Sequence, residues 1–172
     1  MIRLVSRQPV IDAVKLAFYR PDFYGAGDLT HEAMRGPSDW PIGDRELMAA
    51  FVARANESPF CVAAHSATST QFYGDATKVS STLADLDTAP IEEPLRATLR
   101  LLGKLTREHT IDADDIRAVL AAGVSSQQIE DALAVCLAFD ITARLANAFD
   151  FAMATPDAMD AGARHLLKRG YR

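Results

Sequence analysis

Apolar positions along the chain recur at helical spacing, and period-two alternation bounded by turn residues is hard to find anywhere. Val10 to Arg20 reads as a first helix stopped by Pro21, whose ring cannot continue one. Phe23 to Trp40 contains Gly25, Gly27, Gly36 and Pro37 and reads as a long connection with room for short helical turns. Pro41 to Glu46 opens a helix running to about Asn56. Asp44 and Glu46 fall in its first turn, where acidic groups suit the helix dipole. Ser58-Pro59 starts the next helix, with Ser at the N-cap and Pro at the first helical position. That helix ends near Gly74, and a further one covers Ala76 to Leu86.

The second half repeats the theme. Pro90 to about Glu108 carries Ile91, Leu95, Thr98, Leu99, Leu102 and Leu105 at helical spacing. Asp112 caps a short helix that ends before Gly123. Ser125-Ser126-Gln127-Gln128 is a capping box, and the pattern beyond it stays helical to about Ala154. Ile129, Leu133, Cys136, Ile141, Leu145, Phe149 and Ala152 keep mostly to one broad stripe. Pro156-Asp157 begins a last helix ending near Gly170. The pattern predicts an all-α domain over 1–172, built from helical halves of about 1–88 and 89–172. Neither half alone is long enough for a comfortable core.

Composition narrows the function classes. With 49% apolar and 24% charged residues in 172, the chain is globular in type and disorder is excluded as its main state. The longest apolar run, Ala132 to Phe139, falls far short of the ~20 residues a membrane span needs. A net charge of −5 argues against a nucleic-acid partner, which calls for a basic face. Cys61 and Cys136 are too few for a disulfide scaffold or a four-cysteine zinc site. The first residues lack the apolar core of a signal peptide, so the expected setting is cytoplasmic with reduced thiols.

The informative stretch is Glu46 to His65. Behind a Ser58 N-cap, Cys61 is the third residue of its helix, where unpaired N–H groups and the dipole favour a thiolate. His65 lies four residues on, one turn down the same face, placed to exchange a proton with Cys61. Ser58, three residues before Cys61, adds a hydroxyl to that face. If the two helices form an antiparallel hairpin, Glu46 faces His65 and orients it, completing a nucleophile, base and orienter. The bland alternative is a Cys61 that packs as a small apolar residue in an alanine-rich helix. A Cys-x-x-x-His pair also suits a metal, but no further Cys or His lies nearby in sequence, so no metal is expected.

Other residues carry weaker signals. His31 and His109 read as surface residues, and His165 suits the C-terminal end of the last helix. Trp40 and Phe60 either wall a small pocket over Cys61 or pack in the core. Asp140 and Arg144 form an i,i+4 pair which, with Asn147, interrupts the apolar stripe. Such a pair satisfies itself in a subunit contact or a helix hairpin. The run Asp112 to Asp115 reads as helix capping rather than calcium binding. Tyr73 receives no role, and Cys136 reads as core.

Asp44-Arg45-Glu46, eleven intervening residues, and Ser58-Pro59-Phe60-Cys61-Val62-Ala63-Ala64-His65 together resemble the motif of the alkylhydroperoxidase D-like family. That family belongs to the carboxymuconolactone decarboxylase superfamily, and its motif is Glu, eleven residues, then Cys-x-x-Cys-x-x-x-His. The resemblance continues through Leu95–Thr106, Asp112–Ile116, Ala122–Ser125, Ala138–Asp140 and Arg144–Ala148, which look like the C-terminal half of the peroxidase-related branch. It implies an all-α fold and a homo-oligomer built from trimers or dimers of trimers, a hexamer in the second case. Under it Cys61 matches the peroxide-attacking thiol, and His65 and Glu46 match the proton-relay pair. No cofactor is implied.

Ser58 occupies the place of the other cysteine, and serine cannot form the disulfide that closes the two-cysteine cycle. The expected activity is reduction of a small-molecule hydroperoxide by a single reactive cysteine. An external thiol would resolve the oxidised sulfur, and Ser58 would act as hydrogen-bond donor to it. Two rivals stand beside it. One is a lyase of the decarboxylase branch using Glu46 and His65 for acid–base chemistry. The other is a degenerate, non-catalytic binding or structural oligomer.

Overall fold

The computed structural model describes residues 27–171. The predicted helix over Val10–Arg20 and the N-terminal segment lie outside these residues. Among the described residues there are eight helices and no strand: α1 (Gly27–Arg35), α2 (Ile42–Ala55), α3 (Pro59–Tyr73), α4 (Ala76–Ala84), α5 (Glu93–Glu108), α6 (Ala113–Ala121), α7 (Ser126–Ala148) and α8 (Pro156–Arg169).

The central helix is α2, which packs on α3, α5 and α7. Nine of its fourteen residues are buried, on more than one face, as expected of a helix surrounded by others. Leu47, Met48 and Val52 of α2 meet Leu99 and Leu102 of α5, Val135 and Phe139 of α7, and Met34 of α1 in the main core. A smaller cluster joins Ala53 of α2, Cys61 of α3, and Ala143 and Ala146 of α7, with Phe60, Val62 and Phe151 packed against it. Small side chains on all three helices let their backbones approach closely there.

The helix ends follow local chemistry. Asp112 and Asp115 form a reciprocal capping box at α6, and Ser125 and Gln128 form another at α7. Asp75 caps α4 through the N–H groups of Thr77 and Lys78. Four boundaries differ from the sequence reading. The connection before Trp40 contains a true helix, α1, because its glycines and proline fall at the two ends rather than inside. Helix α4 stops at Ala84, where Asp85 takes an extended backbone, two residues short of the expected Leu86. Pro94, not Pro90, lies in the first turn of α5. Helix α7 stops at Ala148 instead of about Ala154, and the chain leaves it through Asp150 at φ 51°.

Trp40 belongs to the main core and donates its indole N–H to the Gln128 carbonyl at 2.8 Å, so it does not wall Cys61. Phe60 does pack against the Cys61 cluster, edge-on to Phe151. The Asp140–Arg144 pair does not form. Asp140 instead accepts from Asn56 Nδ2 at 2.7 Å, across to the α2–α3 turn. Asn147 donates to the carbonyls of Asn56 (3.0 Å) and Glu57 (3.2 Å) in the same turn. Two polar residues of α7 therefore clamp the tight turn, with Glu57 at φ 52°, that sets where α3 begins. Among the described residues no helix is long and apolar enough to cross a membrane.

Candidate active site

Helices α2 and α3 form a hairpin through the Asn56–Ser58 turn, closed by the Ser58 N–H to the Ala53 carbonyl at 2.9 Å. The hairpin brings Glu46 against His65. Glu46 Oε2 lies 2.8 Å from His65 Nδ1, and the Glu46 side chain is fully buried. His65 is itself buried, with its ring edge-on to Phe139 of α7 at 4.3 Å between centroids. All its hydrogen bonds among the described residues run through Nδ1. Its other ring nitrogen, Nε2, has no hydrogen-bond partner among the described residues.

Glu46 has two further donors. Arg35 Nη2 lies 2.6 Å from Oε1, and the Tyr171 hydroxyl lies 2.9 Å from Oε1 and 3.0 Å from Oε2. Burial alone would raise the Glu46 carboxyl. The hydrogen bond and charge of His65, joined by Arg35, outweigh burial and hold it below the usual carboxylate range. Burial pushes the Tyr171 hydroxyl well above the ordinary phenol range, reinforced by the adjacent Glu46 charge. It therefore stays protonated and donates.

Cys61 is the third residue of α3, as its spacing predicts, but its thiol is sealed. Burial pushes the Cys61 thiol up, against a smaller downward pull from the Ser58 hydroxyl beside it. This direction is opposite to the one expected from the position of Cys61 in its helix alone. Ser58 is the residue before α3, yet its side chain makes no capping bond. Its oxygen is buried and closes no hydrogen bond of good geometry. Cys61 and His65 sit one turn apart on the α3 face that meets α7, opposite Ala143, Ala146 and Phe139. No direct hydrogen bond joins the two. Cys136 is a second buried thiol on α7, between Thr106 and Asp140 at 3.6 Å from each, and burial pushes it up to about 11.

Two solved structures share this arrangement of helices. An uncharacterized peroxidase-related protein from Silicibacter sp. TM1040 superposes with a TM-score of 0.76 at 24% identity, over 83% of this chain and 75% of its own. The alkylhydroperoxidase AhpD core of an uncharacterized peroxidase-related protein from Ralstonia eutropha JMP134 superposes at 0.77 and 21% identity, over 95% and 98%. This is the AhpD-like fold. No family model and no curated protein matches the chain.

On this AhpD-like fold the site holds two residues that sequence reasoning missed, Arg35 and Tyr171. Arg35 ends α1, inside the stretch read as a connection, and reaches Glu46 from outside the α2–α3 hairpin. Tyr171 reaches Glu46 from beyond α8. Nothing local in the sequence marks either residue. Tyr73, unassigned from sequence, donates to the Asp44 carboxylate near the start of α2, with the Lys78 ammonium 3.7 Å above its ring. His109 is the left-handed residue closing α5, and His165 is exposed on α8. Among the described residues no three His, Cys, Asp or Glu side chains converge as a metal-ligand set.

Proposed function

We propose that the protein is a thiol-dependent hydroperoxide reductase in which Cys61 is the attacking group. The observation that carries this reading is the alignment of Cys61, His65 and Glu46. The two α3 residues share one face, and Glu46 fixes His65 through Nδ1, leaving Nε2 free for proton exchange. A thiol held protonated by burial needs such a base at the moment of reaction.

His65 Nε2 takes the Cys61 proton, and the thiolate attacks the terminal oxygen of the hydroperoxide. The S–O bond forms, the O–O bond breaks, and His65 returns the proton to the departing alkoxide. The products are an alcohol and a Cys61 sulfenic acid. Glu46 stabilises the imidazolium in between and holds its ring. The Ser58 hydroxyl, buried beside the sulfur, donates first to the thiolate and then to the sulfenic oxygen. An external thiol attacks the sulfenic sulfur, and the hydroxyl leaves as water. A second thiol releases Cys61 and departs with the first as a disulfide. The exposed apolar pair Leu137 and Ile141 on α7 gives the expected homo-oligomer a surface to bury.

A second reading is favoured by the raised Cys61 thiol and by the completeness of the Glu46–His65 pair without it. It is acid–base chemistry of the decarboxylase type, to which Cys61→Ala is harmless. Intact mass after one equivalent of an organic hydroperoxide separates the two. The reductase reading expects the wild type to gain one oxygen that an added thiol removes and that Cys61→Ala never gains. An unchanged mass, with Cys61→Ala retaining lyase turnover, moves the assignment to the acid–base site.

A further inference from the structure

The chain beyond α8 is built to deliver one side chain to Glu46. Gly170 turns it at φ +71° and ψ −147°, a backbone conformation that L side chains rarely adopt. A Cβ there would lie 2.6 Å from the imidazole of His31, so glycine is required by both backbone and space. The next N–H, of Tyr171, donates to His31 Nδ1 at 3.3 Å. The Tyr171 ring then lies over the Arg35 guanidinium at 5.1 Å and near-parallel to the His65 ring at 6.2 Å. Arg35 is tied to the end of α8 through the Leu166 carbonyl at 3.0 Å.

We infer that Tyr171 is a positioning residue for the Glu46–His65 pair, its hydroxyl bridging both carboxylate oxygens and fixing the carboxylate against the imidazole. Arg35 takes Oε1 and His65 Nδ1 takes Oε2, while the Tyr171 hydroxyl lies between the two oxygens at 2.9 Å and 3.0 Å, so it holds the carboxylate in the plane in which Oε2 faces Nδ1. The Tyr171 oxygen is also 3.3 Å from Nδ1, so both oxygens nearest that nitrogen can accept its proton and the tautomer with the proton on Nδ1 is favoured. With Nδ1 so committed, the proton to be exchanged belongs to Nε2. This inference rests on the relay role given to Glu46 and His65 above.

The test is Tyr171→Phe, which keeps the ring and its packing and removes only the hydroxyl. Gly170→Ala acts from outside the site by driving the same segment off His31. Two readouts are compared. One is steady-state turnover of cumene hydroperoxide with a small thiol, as a function of pH. The other is the 13C titration of the Glu46 carboxyl, assigned by its loss in Glu46→Gln. We expect kcat to fall about tenfold with KM within about twofold, the signature of lost positioning. The acid limb of kcat and the Glu46 titration should both move to higher pH, since a donor to the carboxylate is gone. Gly170→Ala should move both in the same direction. A Glu46 titration that stays in place in Tyr171→Phe overturns the inference, whatever turnover does. If neither wild type nor variant turns over hydroperoxide while the Glu46 titration moves, the positioning role stands and the reductase reading falls.

Discussion

Replacing Glu46 by Gln keeps the shape of the side chain and removes its charge. Every group around the carboxylate is a donor: Arg35 and Tyr171 at Oε1, His65 and Tyr171 at Oε2. The amide NH2 of a glutamine therefore sets donor against donor at one of the two positions. The Arg35 side chain, 8% exposed, loses its carboxylate partner and keeps, among the described residues, the neutral Met34 and Leu166 carbonyls and the Tyr171 ring. Breaking a buried ion pair from one side costs about 3–5 kcal/mol. The remaining amide oxygen places Glu46→Gln near about 3 kcal/mol, or roughly 6–12 °C in Tm for a chain of this size.

The cost must also depend on pH. Folding depresses the Glu46 carboxyl. Its contribution is therefore full above the unfolded value, about 4.3 for glutamate, and is lost as pH falls through the lower folded value. The difference between wild type and Glu46→Gln in urea unfolding should be level near neutrality and shrink once the pH drops below about 4.5. A difference under about 1 kcal/mol at neutral pH, the range of an exposed pair, or one that does not shrink in acid, refutes the buried cluster as described.

Ser58→Ala should leave stability unchanged or raise it by up to about 1 kcal/mol, since the lost hydroxyl is buried without a closed hydrogen bond. The same change removes the one downward pull on the Cys61 thiol, so the pH at which iodoacetamide alkylation accelerates should rise. Asn147→Ala frees the carbonyls of Asn56 and Glu57 and should cost about 1 kcal/mol in denaturant unfolding. It should also speed Cys61 alkylation by loosening the turn that starts α3. An unchanged alkylation rate would mean that the turn is held by other contacts.

The parts of the site that lie close in sequence were legible, and those that arrive from a distance were not. Glu46, Ser58, Cys61 and His65 fall on one helical hairpin, and a 3.6-residue repeat with a short turn is enough to place the histidine opposite the glutamate. Arg35 and Tyr171 meet Glu46 across separations of 11 and 125 residues, along paths set by the packing of α1 and α8. The periodicity of their own segments says nothing of that. The Cys61 position was legible but its burial was not, because helix geometry is local while the cluster around Cys61 draws Ala53 from α2 and Ala143 and Ala146 from α7, with Phe151 packed against it. Asp140 and Asn147 read as a self-contained pattern with Arg144, yet their partners lie in the α2–α3 turn. Helix α1 was hidden by glycines and a proline that delimit it.

The central claim is that His65, held by Glu46, removes the proton from a Cys61 that rests as a thiol. Its most direct test is the stopped-flow rate of Cys61 oxidation by an organic hydroperoxide near neutral pH, in wild type and in His65→Asn. The account predicts a fall of about 100-fold or more, the scale of a lost general base. Oxidation of Cys61 at the wild-type rate in His65→Asn would contradict it.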